Sequence, residues 1–125
     1  MSYGRERIVI PVRIQNGQSL SDEINVDALR IVGVIMPAVW TTANLTFASL
    51  LSEPAALPKV PVYGAVLDGS GNELAVTSPA QATYVSLADA LPFRALGRLK
   101  VRSGTVAIPV AQAAERNFSL ICVAS

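Results

Sequence analysis

The sequence predicts an all-β fold, a two-layer antiparallel β-sandwich of jelly-roll or related Greek-key type, on three observations. Apolar residues recur with period two from Ile8 to Val123, the spacing that sends successive side chains to opposite faces of a strand. Glycine, proline and asparagine interrupt these runs at short intervals, as eight or nine short strands joined by turns require. The 125 residues are 51% apolar and 15% charged, which is enough for one core and leaves no room for a second domain.

Ile8, Ile10, Val12 and Ile14 alternate against Arg7, Val9, Pro11 and Arg13, a strand pattern. Pro11 has no N–H to donate, so this strand belongs at a sheet edge or carries a bulge. Asn16-Gly17 marks a turn, and Ser19 to Ile24 reads as a second strand returning beside the first. Leu29 to Met36 is apolar on both faces, predicting a central strand that Pro37 stops. Asn44 to Ser49 sets Leu45 and Phe47 against Asn44, Thr46 and Ala48, and a loop studded with Pro54, Pro58 and Pro61 follows. Val62 to Leu67 and Glu73 to Val76 flank Asp68-Gly69-Ser70-Gly71-Asn72, a hairpin whose glycines supply positive φ. Tyr84 to Leu87 is a further strand, and Ala88 to Ala95 reads as a short helical turn interrupted by Pro92. Leu96 to Arg102 and Asn117 to Val123 complete the set, with Phe118, Leu120 and Cys122 on one face of the last strand. Between them Ala111 to Arg116 has good helix formers, but six residues cannot stand alone as a helix, so a loop or single turn is expected.

Ten Lys and Arg against nine Asp and Glu give a net charge of +1, no field to gather a polyphosphate, so nucleic acid is not an expected partner. There is no histidine, which removes Ser-His-Asp and Cys-His catalysis and histidine-bound zinc. Cys122 stands alone, so no disulfide forms within the chain and synthesis in a reducing compartment is expected. The start of the chain shows no export signal, and the apolar run Ile31 to Trp40 is far below the roughly 18 residues a spanning helix needs, so no membrane partner is expected. With so few charges to cover the outside, apolar surface is left over, and the protein is expected to work as a homo-oligomer or as repeated copies on a larger shell.

Candidate chemistry is sparse. Asp68 to Glu73 spaces oxygen ligands as calcium loops do, but the same residues are what a hairpin turn demands, and the turn is the preferred reading. Asp22, Glu23 and Asp27 form an acidic group in which Asp22 and Glu23, as strand neighbours, point to opposite faces and share no site. Arg98, Lys100 and Arg102 fall on one strand face, either a basic ladder for an acidic partner or a solvated surface. Trp40, Tyr63 and Tyr84 are the aromatic candidates, as core or interface anchors or as a platform for a sugar. These six side chains are the expected interface or ligand contacts. No catalytic residue, metal ligand or cofactor site is identified, and no enzymatic activity is expected.

Several runs also resemble a known group of proteins. Gln18-Ser19-Leu20-Ser21-Asp22, Leu29 to Trp40, Leu45-Thr46-Phe47, Val62-Tyr63 with Asp68, Gly71, Asn72 and Glu73, Leu99 to Thr105, and Pro109 to Arg116 together resemble small virion structural proteins of tailed phages and gene transfer agents. The resemblance spans positions 16 to 123, and its motifs carry no catalytic group. It implies a β-sandwich in the virion, synthesised in the bacterial cytoplasm and placed at the head as a decoration, spike or fibre-base subunit. Other virion proteins would be its partners, with a host-surface glycan as a further one. The sequence departs from the pattern between Leu50 and Pro61, where a proline-rich insert replaces a short polar turn. The alternative function is a carbohydrate-binding β-sandwich module.

Overall fold

The chain folds as a series of nested antiparallel pairs. In the computed structural model, which describes residues 7–27, 29–52, 62–67, 70–92 and 97–124, β1 (Arg7–Ile14) pairs with β9 (Arg116–Ala124) and β2 (Ile24–Asn25) with β8 (Arg98–Ser103). Next inward, β3 (Leu29–Ile35) pairs with β7 (Tyr84–Pro92), and β4 (Leu45–Ser52) pairs with β5 (Val62–Ala65) and β6 (Ala75–Val76). The long ribbon this makes is rolled up by two further ladders, β9 to β3 and β8 to β4. One sheet therefore has the order β1-β9-β3-β7, and the other β2-β8-β4-β5 with β6 also on β4. This is the connectivity of a jelly roll. The described residues contain no helix.

Between the sheets lies one core. From the first sheet Val12, Ile14, Ile31, Val34, Phe118, Leu120 and Cys122 point inward, and from the second Ile24, Leu45, Phe47, Leu99 and Val101 meet them. Burial in β8 alternates strictly, with Leu99, Val101 and Ser103 inside, as a strand with one face on the core must. In β3 the core residues Ile31 and Val34 are three positions apart because the register with both neighbours shifts between Ile31 and Gly33. Against β9, Val32 is the extra residue of this bulge, which returns Val34 to the inner face; against β7 the surplus lies on the other strand, with residues 87–90 between the partners of Gly33 and Ile31. Pro11 behaves as expected, since β1 is an edge strand paired only with β9.

Four expectations are corrected or narrowed. Ser19 to Ile24 does not run back beside β1 as a strand: Ile14 bridges Ser21, Leu20 bridges Arg102, and only Ile24–Asn25 enters a ladder, on β8. The segment changes sheets, which is how a sandwich corner is made. The helical turn expected from Ala88 is strand instead as far as Pro92, because β3 offers an open ladder that takes Leu91 opposite Ile31 and Pro92 opposite Arg30; the rest of that stretch, 93–96, lies outside the described residues. Proline is admissible there since β7 is the edge of its sheet. The segments before and after the expected hairpin both lie along β4 as one interrupted edge strand, from which the loop projects, pinched by the Leu67–Glu73 bridge. Gly71 has the positive φ of 84° foreseen for that loop, while Asp68, Gly69 and most of the proline-rich insert lie outside the described residues. Finally, the last strand starts at Arg116, one residue earlier than its apolar alternation suggests.

At one end of the sandwich the β1–β2, β3–β4, β6–β7 and β8–β9 connections converge. Gln112, 1% exposed, ties the β8–β9 connection to the β1–β2 and β3–β4 ones, although the sequence marks it only as a helix former. Its amide donates to the Thr41 carbonyl at 3.1 Å and to Ser103 Oγ at 2.6 Å, and its carbonyl accepts from Thr41 N–H at 2.9 Å and Arg116 Nε at 3.0 Å. Its backbone exchanges hydrogen bonds with Gly17 and Gln18. Gly104 closes the same end with φ of 92°, where a Cβ would collide with the Ile108 carbonyl and the Val110 N–H.

Candidate functional site

The alternation of β8 brings Arg98, Lys100 and Arg102 to the outer face of the second sheet, as the sequence predicts. What the sequence does not show is that each has a local partner. Arg98 Nε lies 3.9 Å from a Glu23 carboxylate oxygen, and Arg102 Nη1 lies 3.4 Å from Glu73 Oε2. Lys100 Nζ sits 4.8 Å from the centre of the Tyr63 ring, within cation–π range. Tyr63 in turn donates its hydroxyl proton to Glu23. Glu73 also accepts from the Val106 N–H at 3.1 Å, so its carboxylate is turned to the sheet and the β8–β9 loop. The expected ladder is thus two arginines set against carboxylates with a lysine between them over an aromatic ring.

Beside it, Gln15, Gln18, Leu20, Ser21, Asp22, Glu23, Tyr63 and Lys100 line an open cleft of about 660 Å³. Asp22 and Glu23 share this cleft, contrary to the expectation from strand alternation, because their segment is crossing between sheets. Ser21 anchors the crossing: its N–H donates to the Val101 carbonyl, and its Oγ accepts from the Val101 N–H, both at 2.8 Å. Asp22 faces back to β1, taking a 2.7 Å bond from Arg13 Nε and a 3.0 Å bond from Gln15 Nε2. The Gln15 and Arg13 bonds hold its carboxyl below the usual carboxylate range.

The three aromatic candidates are not brought together. Trp40, 6% exposed, is a core residue, edge-on to Phe118 with ring centres 5.8 Å apart and its Nε1 donating to the Ala43 carbonyl. Tyr63 lies on the outer face of the second sheet, as just described, and Tyr84 on the outer face of the first, opposite Ile35. On that first sheet, the ladders place Val9, Ile121, Gly33 and Ser86 side by side, and Pro11, Ser119, Ile35 and Tyr84 in the next row. Both rows are uncharged, and Val9, Ile35 and Tyr84 are their exposed large apolar side chains; others, such as Val39, Leu67, Val106 and Ile108, stand elsewhere on the surface.

Among the described residues no group of three or more His, Cys, Asp or Glu side chains is placed to hold a metal ion. No protein-family model, curated protein or solved structure matches this chain, so what the site can do rests on its geometry.

Proposed function

We propose that this chain is a non-enzymatic structural subunit of a phage or phage-like virion, a head-associated decoration, spike or fibre-base protein that acts by association. The observation that carries the proposal is the division of labour on the surface. Arg13, Arg98 and Arg102 are spent on Asp22, Glu23 and Glu73, whereas large apolar side chains such as Val9, Ile35, Tyr84 and Ile108 stand in solvent. Groups that neutralise each other hold a fold in shape, and exposed apolar groups favour a partner. Jelly rolls recur in viral capsid and lectin domains, which agrees with the proposal at the level of fold analogy alone, as does the sequence resemblance described above. Mass spectrometry of particles purified from the producing strain tests it: the chain is expected at a fixed copy number relative to the major head protein. Particles that lack it, from cells that express it, would overturn the assignment.

A carbohydrate-binding module is the second reading, favoured by one feature, the cleft in which the Tyr63 ring stands beside Asp22, Glu23 and two amides. Trp40 is buried, so the informative variant is Tyr63→Ala, which should abolish binding on a glycan array if this reading is correct.

A further inference from the structure

We infer that the outer face of the β1-β9-β3-β7 sheet is the surface on which a second copy of this chain docks, sheet against sheet, with the strands of the two copies running in opposite directions. This deepens the proposed associative role by naming its surface and occupant. The first argument is the shape and chemistry of the face. Val9 is 57% exposed, Ile35 43% and Tyr84 50%, and they share the face with Ile121 through the ladder pairs Val9–Ile121 and Ile35–Tyr84. A Cβ at Gly33 would collide with the Tyr84 phenol, so the ring lies over the bare backbone of β3. Ile121, although on the outer face, is only 6% exposed. The result is a flattened apolar surface, the form in which sheets stack at about 10 Å separation.

The second argument is charge, and it selects the occupant and its orientation. At one end of the face Val123 pairs with Arg7 on one side and Arg30 on the other. Two strand spacings of about 4.8 Å separate these arginines, and neither guanidinium has an ion-pair or hydrogen-bond partner among the described residues. At the other end Glu115 precedes β9 and accepts a 3.0 Å bond from the Asn117 amide; it has no cationic partner among the described residues. Arg13, also at that end, is neutralised by Asp22. Turning a second copy about a two-fold axis that runs across the strands brings the Arg7 and Arg30 end of each copy to the Glu115 end of the other. With the strands parallel instead, Arg7 and Arg30 would face their own counterparts. A two-fold pairing satisfies both ends at once, as an isologous interface must.

Area sets the strength. Four strands about 4.8 Å apart and eight residues rising about 3.4 Å each give a face of roughly 19 by 27 Å, or about 1,000 Å² over two copies, near the lower limit for a specific interface. The contact is therefore reversible in dilute solution and persistent where copies are held close together.

Sedimentation equilibrium of the full chain over a wide concentration range tests the inference. A monomer–dimer equilibrium is expected, weakened about tenfold or more by Ile35→Glu and weakened by Arg30→Glu or Glu115→Arg alone. Because each dimer contains both ends twice, the double variant Arg30→Glu with Glu115→Arg should recover association, which a foreign partner would not explain. Circular dichroism of each variant is expected to match that of the native chain, which separates loss of the interface from loss of the fold. Association that ignores Ile35→Glu and Arg30→Glu, or a 13.1 kDa monomer at every concentration, would overturn this interface while leaving particle incorporation to be judged separately. Dimerisation through this face by a chain absent from particles would sink the virion reading and not this one.

Discussion

Gln112 carries more structural responsibility than any other single polar side chain described. Replacing it with leucine removes the acceptor for Arg116 Nε and the donor to Ser103 Oγ, leaving a 9% exposed guanidinium with only Thr41 Oγ1 at 3.2 Å. Breaking one partner of a buried charged hydrogen bond costs about 2–4 kcal/mol. Gln112→Leu should lower the urea midpoint accordingly, whereas the same change at the exposed Gln18, whose side chain has no hydrogen bond among the described residues, should not. Cys122 makes a second prediction. Burial pushes its thiol up to about 11, so above pH ~9 the unfolded chain releases a proton that the folded chain retains. Its contribution to stability is complete below pH ~9 and is lost as pH rises through 11, by about 3 kcal/mol at most. Unfolding titrations from pH 8 to 11 should show this loss in the native chain and a smaller one in Cys122→Val.

Elements differ in how plainly the sequence announces them. β1, β3, β8 and β9 were readable because their alternation or apolar continuity is the direct imprint of a core on a strand: Leu99 and Val101 are buried between half-buried cations, and Pro11 correctly signals an edge. The continuation of β7 to Pro92 was not, because Ala88, Asp89 and Ala90 carry no period and the ladder with β3 resumes only at Leu91 and Pro92, after a register shift. Likewise the basic face of β8 was legible but its partners were not, since Glu23 and Glu73 come from 75 and 29 positions away from Arg98 and Arg102. The meeting of Asp22 and Glu23 in one cleft depends on a sheet crossing for which local pattern has no signature. Gly104 belongs at this scale too, since it sets the turn from β8 into the last connection. With positive φ and backbone atoms filling the space of a Cβ, Gly104→Ala should cost about 2–4 kcal/mol, visible as a lowered melting temperature with unchanged far-ultraviolet circular dichroism at 20 °C.

For the molecule as a whole, the nested pairing determines how the chain can be rewired. Because β1 and β9 are antiparallel partners with Arg7 opposite Val123, the polypeptide enters and leaves the sandwich side by side, at the end away from Gln112. Cα atoms so paired are about 5 Å apart, a gap that a short glycine-rich bridge spans without strain. The tip of the pinched loop, Ser70, Gly71 and Asn72, is exposed and projects from the sheet edge, so cutting there severs no strand. A circular permutant joined from β9 to β1 and opened at Gly71 should therefore fold with the native strand content and unfold in one cooperative step. In that molecule β6 would be the first strand and β5 the last. New ends would emerge at the edge of the second sheet, where a fused peptide could be displayed while the face carrying Val9, Ile35 and Tyr84 stays clear.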